Sequence, residues 1–291
     1  AEHSKRIQLT TSISVAFARN PMTTATLAWD LNQYSRGRFA IGLGSQIKPH
    51  ITRRFSMPWS QPAARMREFI AAMRAIWHCW ESGETLAFQG EFYRHDLMTP
   101  MFVPARRDFG APGVTLAAVG PLMTETAAEV ADGMIAHGFS TARYLREVTL
   151  PAVEKGLQKS NRQREDFTIS APVMVVAGKD EQAFAASKQA VQHQLAFYSS
   201  TPAYKGVLEL HGWGDLQAEA HRLTRENRWD EMGALISDDI LDTFAIVAQN
   251  IEDVPQLLSA RYAGLVDTWM CTVETGDTDL QQQLVSAVQA A

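Results

Sequence analysis

Apolar and polar positions change period many times along the chain, and each change marks an element. Residues 6–17, RIQLTTSISVAF, are rich in β-branched side chains and predict a strand. NPMTTATLAWDLNQYS follows, with Asn20 as a cap and Pro21 at the first helical position. Residues 37–45, GRFAIGLGS, predict a short apolar strand running into glycines. Over 60–83, Phe69, Met73, Ile76, Trp77 and Trp80 recur at helical spacing, so this is a long helix with its tryptophans in the core. RMRE (65–68) reads as the solvated face of that helix, carrying local ion pairs. Residues 86–97 predict a hairpin with Gly90 at the turn.

The second half repeats the alternation. GVTLAAV (113–119) is a strand and TETAAEVAD its helix; GMIAHGF (133–139) is a strand, and Ser140 opens the next helix. DFTISAPVMVVAG (166–178) is the most strand-like run in the chain, and a helix spans about Asp180 to Tyr198. Residues 199–236 are polar and mostly helical in period, with a glycine-rich turn at 211–215. Residues 237–264 give a capped helix, a short apolar break and another helix; 265–273 is a last strand, and the tail is helical. Strands that alternate with helices from end to end argue for a parallel sheet with crossover helices. Periodicity leaves both a closed barrel and an open doubly wound sheet. No break in composition divides the 291 residues, so they read as one domain.

Composition narrows the function classes. Hydrophobic residues make up 46% and charged residues 20%, enough for a sizeable core. The net charge of -5 does not suggest a nucleic-acid binder, which would show a basic face and a high pI, and no apolar run approaches the roughly 18 residues of a membrane span. Cys79 and Cys271 match no metal-ligand spacing, and two lone cysteines without a signal peptide fit a cytoplasmic protein.

In parallel α/β folds ligands lie at the carboxyl ends of strands, so the residues there are the candidates. Gly42 and Gly44 let a ligand or another backbone come close, or fit a tight layer. Gln46, Lys48 and His50 follow in a loop. After the 113–119 strand comes AAVGPLMTETAAEVADG, where Gly120 ends the strand and Pro121 makes the turn. The N–H groups of Leu122, Met123 and Thr124 are then free at a helix start, which suits a phosphate or is an ordinary connection. His137 ends the next strand, either as a packed histidine or as a functional one. YSSTPAY (198–204) gathers aromatic and hydroxyl groups that stack on a planar ring or simply pack. Asp238 and Asp239 stand at a helix start, where capping explains them better than catalysis. A chain with clefts and no nucleophile motif points to chemistry done by a cofactor.

Four blocks, RIQLTTSISVAFARNP, LNQYSRGRFAIGLGS, PAARMREFIAAMRAIW and AAVGPLMTETAAEVADG, resemble the bacterial luciferase-like superfamily in order and spacing. Among its branches the chain looks most like the oxidoreductases that use the deazaflavin coenzyme F420. The resemblance implies a (β/α)8 TIM barrel with a helical insertion at about 199–236. It implies a planar ring in the barrel mouth, with the cofactor phosphate at Val119, Gly120, Pro121, Leu122 and Met123. It places a cis non-prolyl peptide at Ser12–Ile13, against the ring, with Gly44 and Ser45 also on the cofactor side. Gln46, His50 and His137 are the substrate-side candidates for catalysis. The family's RI.LGT strand is usually its third, and here it begins at residue 6, so two βα units of roughly 30 residues each are expected to be missing from this chain. The edges so exposed are expected to be covered by another subunit or by a segment outside the sequence, or to aggregate. Sugar-phosphate dehydrogenases of the superfamily place a Glu where Ser45 stands here, which argues against that chemistry. The resemblance thus implies hydride transfer between F420 and a small-molecule substrate by a homodimer or higher homo-oligomer. An FMN monooxygenase and a catalytically silent flavin-binding relative are the alternatives.

Overall fold

The computed structural model describes residues 1–105, 108–273 and 275–290. They fall into two compact units, Ala1–Ile135 with Ala152–Thr168, and Ala136–Pro151 with Ile169–Ala291.

The first unit runs β1 (Leu9–Thr10), β2 (Ser14–Val15), α1 (Pro21–Ser35), β3 (Phe39–Gly44), α2 (Pro62–Ser82), β4 (Phe88–Gln89), β5 (Arg94–His95), β6 (Gly113–Ala118), α3 (Pro121–Val130) and the start of β7 (Gly133–Ala136). β3 pairs in parallel with β1 at Leu9↔Phe39, with β2 at Ser14↔Leu43 and with β6 from Ala40↔Gly113 to Leu43↔Leu116. Parallel pairing puts the carboxyl ends of β2, β3 and β6 on one edge of this sheet. The single strand expected over 6–17 is two short strands, because residues 11–13 leave the ladder. The Ser12–Ile13 peptide is cis. At the break the Thr11 side chain replaces a backbone rung: its hydroxyl donates to the Gly42 carbonyl at 2.8 Å and accepts the Gly42 N–H at 3.0 Å.

α1 starts as its sequence dictates, with Asn20 Oδ1 accepting the Thr23 N–H at 2.9 Å. α2 buries the residues its period singled out: Phe69, Met73 and Ile76 are fully covered, and Trp80 meets Trp29 edge to face at 5.5 Å. RMRE is not a solvated face. Arg65 is 7% exposed; its guanidinium lies 4.3 Å from the Phe17 ring centroid and donates to Tyr93 Oη and the Pro58 carbonyl, both at 2.8 Å. Arg67 clamps Glu129 of α3 with two bonds, at 2.9 and 2.8 Å. The Glu68 carboxylate accepts the N–H groups of Glu91, Phe92 and Tyr93 at 2.8, 2.7 and 2.6 Å. These partners lie outside the reach of helix-local pairing, which is why the local pattern missed them. The hairpin itself forms as expected, with Phe88 opposite His95. A Cβ on Gly90 would collide with the Glu68 carboxylate, so the glycine leaves room for that side chain to reach the hairpin amides.

In the second unit the helix after β7 is opened by Thr141 rather than Ser140: the Thr141 hydroxyl accepts the Tyr144 N–H at 3.0 Å. The helical run passes from α4 (Ala142–Tyr144) through a π turn, Leu145–Thr149, into α5 (Leu150–Lys159). β8 (Thr168–Val176) is followed by α6 (Glu181–Ser199), capped by Asp180 on the Ala183 N–H at 2.8 Å. The stretch 199–236 carries α7 (Lys205–Leu210), α8 (Gly214–Arg225) and α9 (Trp229–Met232). α10 (Asp238–Phe244) starts on a Ser237 cap, with Asp238 and Asp239 in its first turn, where the helix dipole favours them. The apolar break in 237–264 is a strand, β9 (Ile246–Val247), before α11 (Val254–Tyr262), β10 (Thr268–Thr272) and α12 (Thr278–Ala290). β8 pairs in parallel with β10 from Ser170↔Thr268 and with β9 at Val175↔Ile246. Among the described residues no helix is long and apolar enough to cross a membrane, and no group of three or more His, Cys, Asp or Glu could hold a metal ion.

Candidate functional site

Two clusters contain the residues that the sequence singled out, one in each unit. In the first unit the glycines of β3 serve another part of the backbone. A Cβ on Gly42 would collide with the Thr11 carbonyl oxygen, and one on Gly44 would meet Ile13 Cδ1 at 2.7 Å. Ser12 and Ile13 therefore form a bulge seated on Gly44 at the carboxyl edge of the sheet. Ser14, next along and buried, has an Oγ with no partner among the described residues. Ser45 Oγ donates to the Gln46 carbonyl at 3.1 Å. Gln46 is left-handed at φ 60°, and its Oε1 accepts the Ile47 N–H at 3.3 Å. His50 is exposed at the head of a π turn, His50–Arg54.

At the same edge, β6 ends and Val119 leads into α3. Gly120 holds the capping position in an extended conformation, φ -74° and ψ 156°, with no side-chain cap. Pro121 supplies the first helical residue without an N–H, as its ring favours. The Thr124 N–H is taken by the Gly120 carbonyl at 3.1 Å, so the free donors expected at three residues are the two of Leu122 and Met123. Thr124 is fully buried and its hydroxyl has no partner among the described residues, so it does not cap the helix. A Cβ on Gly120 would meet nothing within 4 Å, and Leu122 is 73% exposed. An open space, two outward amides and the positive end of a helix fit an anionic group such as the phosphate of a flavin-type cofactor.

In the second unit His137 joins two residues of the YSSTPAY segment. Its ring lies 4.7 Å from Tyr198, edge to face, and 4.5 Å from Tyr204. Nδ1 accepts the Phe139 N–H at 3.0 Å, and Nε2 lies 3.1 Å from Tyr204 Oη. Burial pushes the imidazole down to about 4 and the Tyr204 phenol up to about 12. Both are therefore neutral near pH 7. Phe139 stacks on Phe244 at 4.4 Å, extending the cluster to a ring that the sequence did not connect to the site. No local period joins residues 137, 198, 204 and 244; only the fold does.

The model of the luciferase-like monooxygenase family matches residues 1–268. An uncharacterized protein of Mycobacterium tuberculosis strain H37Rv is 52% identical over 267 residues, covering 92% of this chain and 78% of that protein. The 5,10-methylenetetrahydromethanopterin reductase of Archaeoglobus fulgidus is 26% identical over 269 residues, covering 90% and 76%. Among solved structures, the coenzyme F420 dependent tetrahydromethanopterin reductase of Methanopyrus kandleri superposes with a TM-score of 0.78 at 21% identity, covering 98% of this chain and 83% of that one. That likeness establishes an α/β fold of the luciferase-like TIM-barrel type.

Proposed function

Because the chain belongs to the luciferase-like monooxygenase family, we propose that it is a coenzyme F420-dependent oxidoreductase, moving a hydride between the deazaflavin and a small organic substrate. The observation that carries this reading is the uncapped start of α3, with its open space at Gly120, on the same sheet edge as the bulge seated on Gly44. Val119, Gly120, Pro121, Leu122 and Met123 would hold the phosphate of the cofactor; Ser12, Ile13, Gly44 and Ser45 would flank its ring. The Methanopyrus kandleri structure, dependent on coenzyme F420 by its name, and a Mycobacterium tuberculosis relative, 28% identical and named a putative coenzyme F420-dependent oxidoreductase, support F420 as the cofactor. When bound, F420 supplies a ring carbon that carries the hydride; the protein supplies anchoring, orientation and a pocket that limits water. Gln46, His50 and His137 are the substrate-side candidates within this proposal, and a homodimer or higher homo-oligomer is its expected assembly.

The family's own description as monooxygenases gives the second reading, an FMN enzyme that activates oxygen. Fluorescence titration of the purified chain with F420 and with FMN separates the two. The F420 reading expects saturable quenching at micromolar F420 and weaker binding of FMN, with a loss of F420 affinity in Gly120→Asp. Tight FMN binding, or copurified yellow flavin with no response to F420, would overturn it.

A further inference from the structure

The hydrogen bonds at His137 fix which way its proton points. A neutral imidazole has one N–H and one bare nitrogen. Nδ1 faces the Phe139 N–H at 3.0 Å, and a backbone amide can only donate, so Nδ1 is the bare nitrogen. Nε2 then carries the hydrogen and donates it across 3.1 Å to Tyr204 Oη. Tyr204 is thereby an acceptor toward His137, and its own O–H is left to point elsewhere. Among the described residues Tyr204 Oη makes no other hydrogen bond. Tyr204 is half-buried, walled by Tyr198 at 6.2 Å and Phe139 at 6.0 Å, and fixed on the short 3-10 turn Pro202–Tyr204.

We propose that Tyr204 is a hydrogen-bond donor for an oxygen atom of the substrate, a carbonyl or the alcohol it is reduced to, and that His137 is its positioning residue. The proposal rests on the oxidoreductase reading above and names the substrate class of that activity. The chain Phe139 N–H, His137, Tyr204 O–H runs in one direction and ends at a single donor. An anionic phenol or a cationic imidazole would break it, and the burial of both rings disfavours either charge. No cation is part of the chain, so the site favours a neutral carbonyl oxygen that gains negative character over a substrate that arrives as an anion. The aromatic walls suit the apolar flank of such a ketone or aldehyde.

The test uses the full chain and cyclohexanone as the probe. Nitrogen-15 NMR of His137, identified by its loss in His137→Gln, should show a bare Nδ1 and a protonated Nε2 at pH 7. The infrared carbonyl band of bound cyclohexanone should move to lower frequency in the wild type and stay at its apolar position in Tyr204→Phe, with affinity about tenfold lower, the worth of one hydrogen bond. His137→Leu should weaken the band shift, and His137→Gln, whose amide can donate to Tyr204, should restore it. A protonated Nδ1, no band shift in the wild type, or the same shift in Tyr204→Phe would overturn the proposal. F420 titrations run alongside: a wild type that shifts the ketone band yet ignores F420 sinks the cofactor reading alone, whereas F420 binding without a band shift sinks this one.

Discussion

Replacing Gly42 by alanine tests whether the glycines of β3 exist to seat the 11–13 bulge. The new Cβ would fall on the Thr11 carbonyl oxygen and 3.1 Å from Ile135 Cδ1. Neither the backbone oxygen nor its peptide can step aside while Thr11 Oγ1 holds both polar groups of Gly42. Relief therefore costs the two hydrogen bonds, about 1 kcal/mol each, plus overpacking of about 1–3 kcal/mol. The sum is about 3–5 kcal/mol, a drop in melting temperature on the order of 10 °C at about 2–4 °C per kcal/mol. Thr11→Val removes only the two bonds and should lose about 2 kcal/mol, while Thr11→Ser should keep most of the stability. Gly44→Ala presses on the movable end of Ile13 and should cost less than Gly42→Ala. Differential scanning calorimetry of the four variants gives the ranking. A Gly42→Ala protein that melts with the wild type would refute the argument, since the bulge would then not depend on that contact.

Other consequences are open to direct measurement. Glu68→Ala strips the acceptor from three hairpin amides, and hydrogen exchange of residues 91–93 should quicken at least tenfold, equivalent to about 1.4 kcal/mol or more; unchanged exchange would show that water replaces the carboxylate at no cost. Arg65→Met should destabilise by about 2 kcal/mol through the lost bonds to Tyr93 and Pro58 and the lost contact with Phe17, read by urea unfolding. His137, pushed down to about 4 when folded, titrates near 6.5 when unfolded, so the unfolded chain binds the extra proton first. The stability it lends is whole above pH 6.5 and falls as the pH drops toward 4, by about 3 kcal/mol over that window. His137→Gln should be less acid-sensitive by that amount in unfolding at pH 7, 5.5 and 4.

Much of this architecture was legible because it is written locally. Asn20, Asp180 and Ser237 cap the helices they precede, and Phe69 to Trp80 bury the face their spacing drew. The 6–17 strand misled because its β-branched run is continuous, while the break at 11–13 is set by glycines about thirty positions away. Arg65 and Glu68 misled for the same reason: a charged pair at helical spacing looks solvated until a distant hairpin and an aromatic ring arrive to cover it. The start of α3 could be read as an anion site from Gly120-Pro121 alone, but Thr124 could not be seen to have spent its amide. His137 was visible as a residue; the direction of its proton was not, because that rests on a backbone amide and a tyrosine from the far side of the sequence.

Nothing in the backbone obliges residue 120 to be glycine: its φ of -74° suits any side chain, and the room beside it is open. An aspartate or serine there would curl onto the amides of Leu122 and Met123 and firm the helix by about 1 kcal/mol. The same hydroxyl or carboxylate would occupy the hydrogens a visiting anion needs. Sturdiness and hospitality are therefore rivals at this one position, and a chain selected for thermal endurance alone should drift toward the variant that shuts its own door.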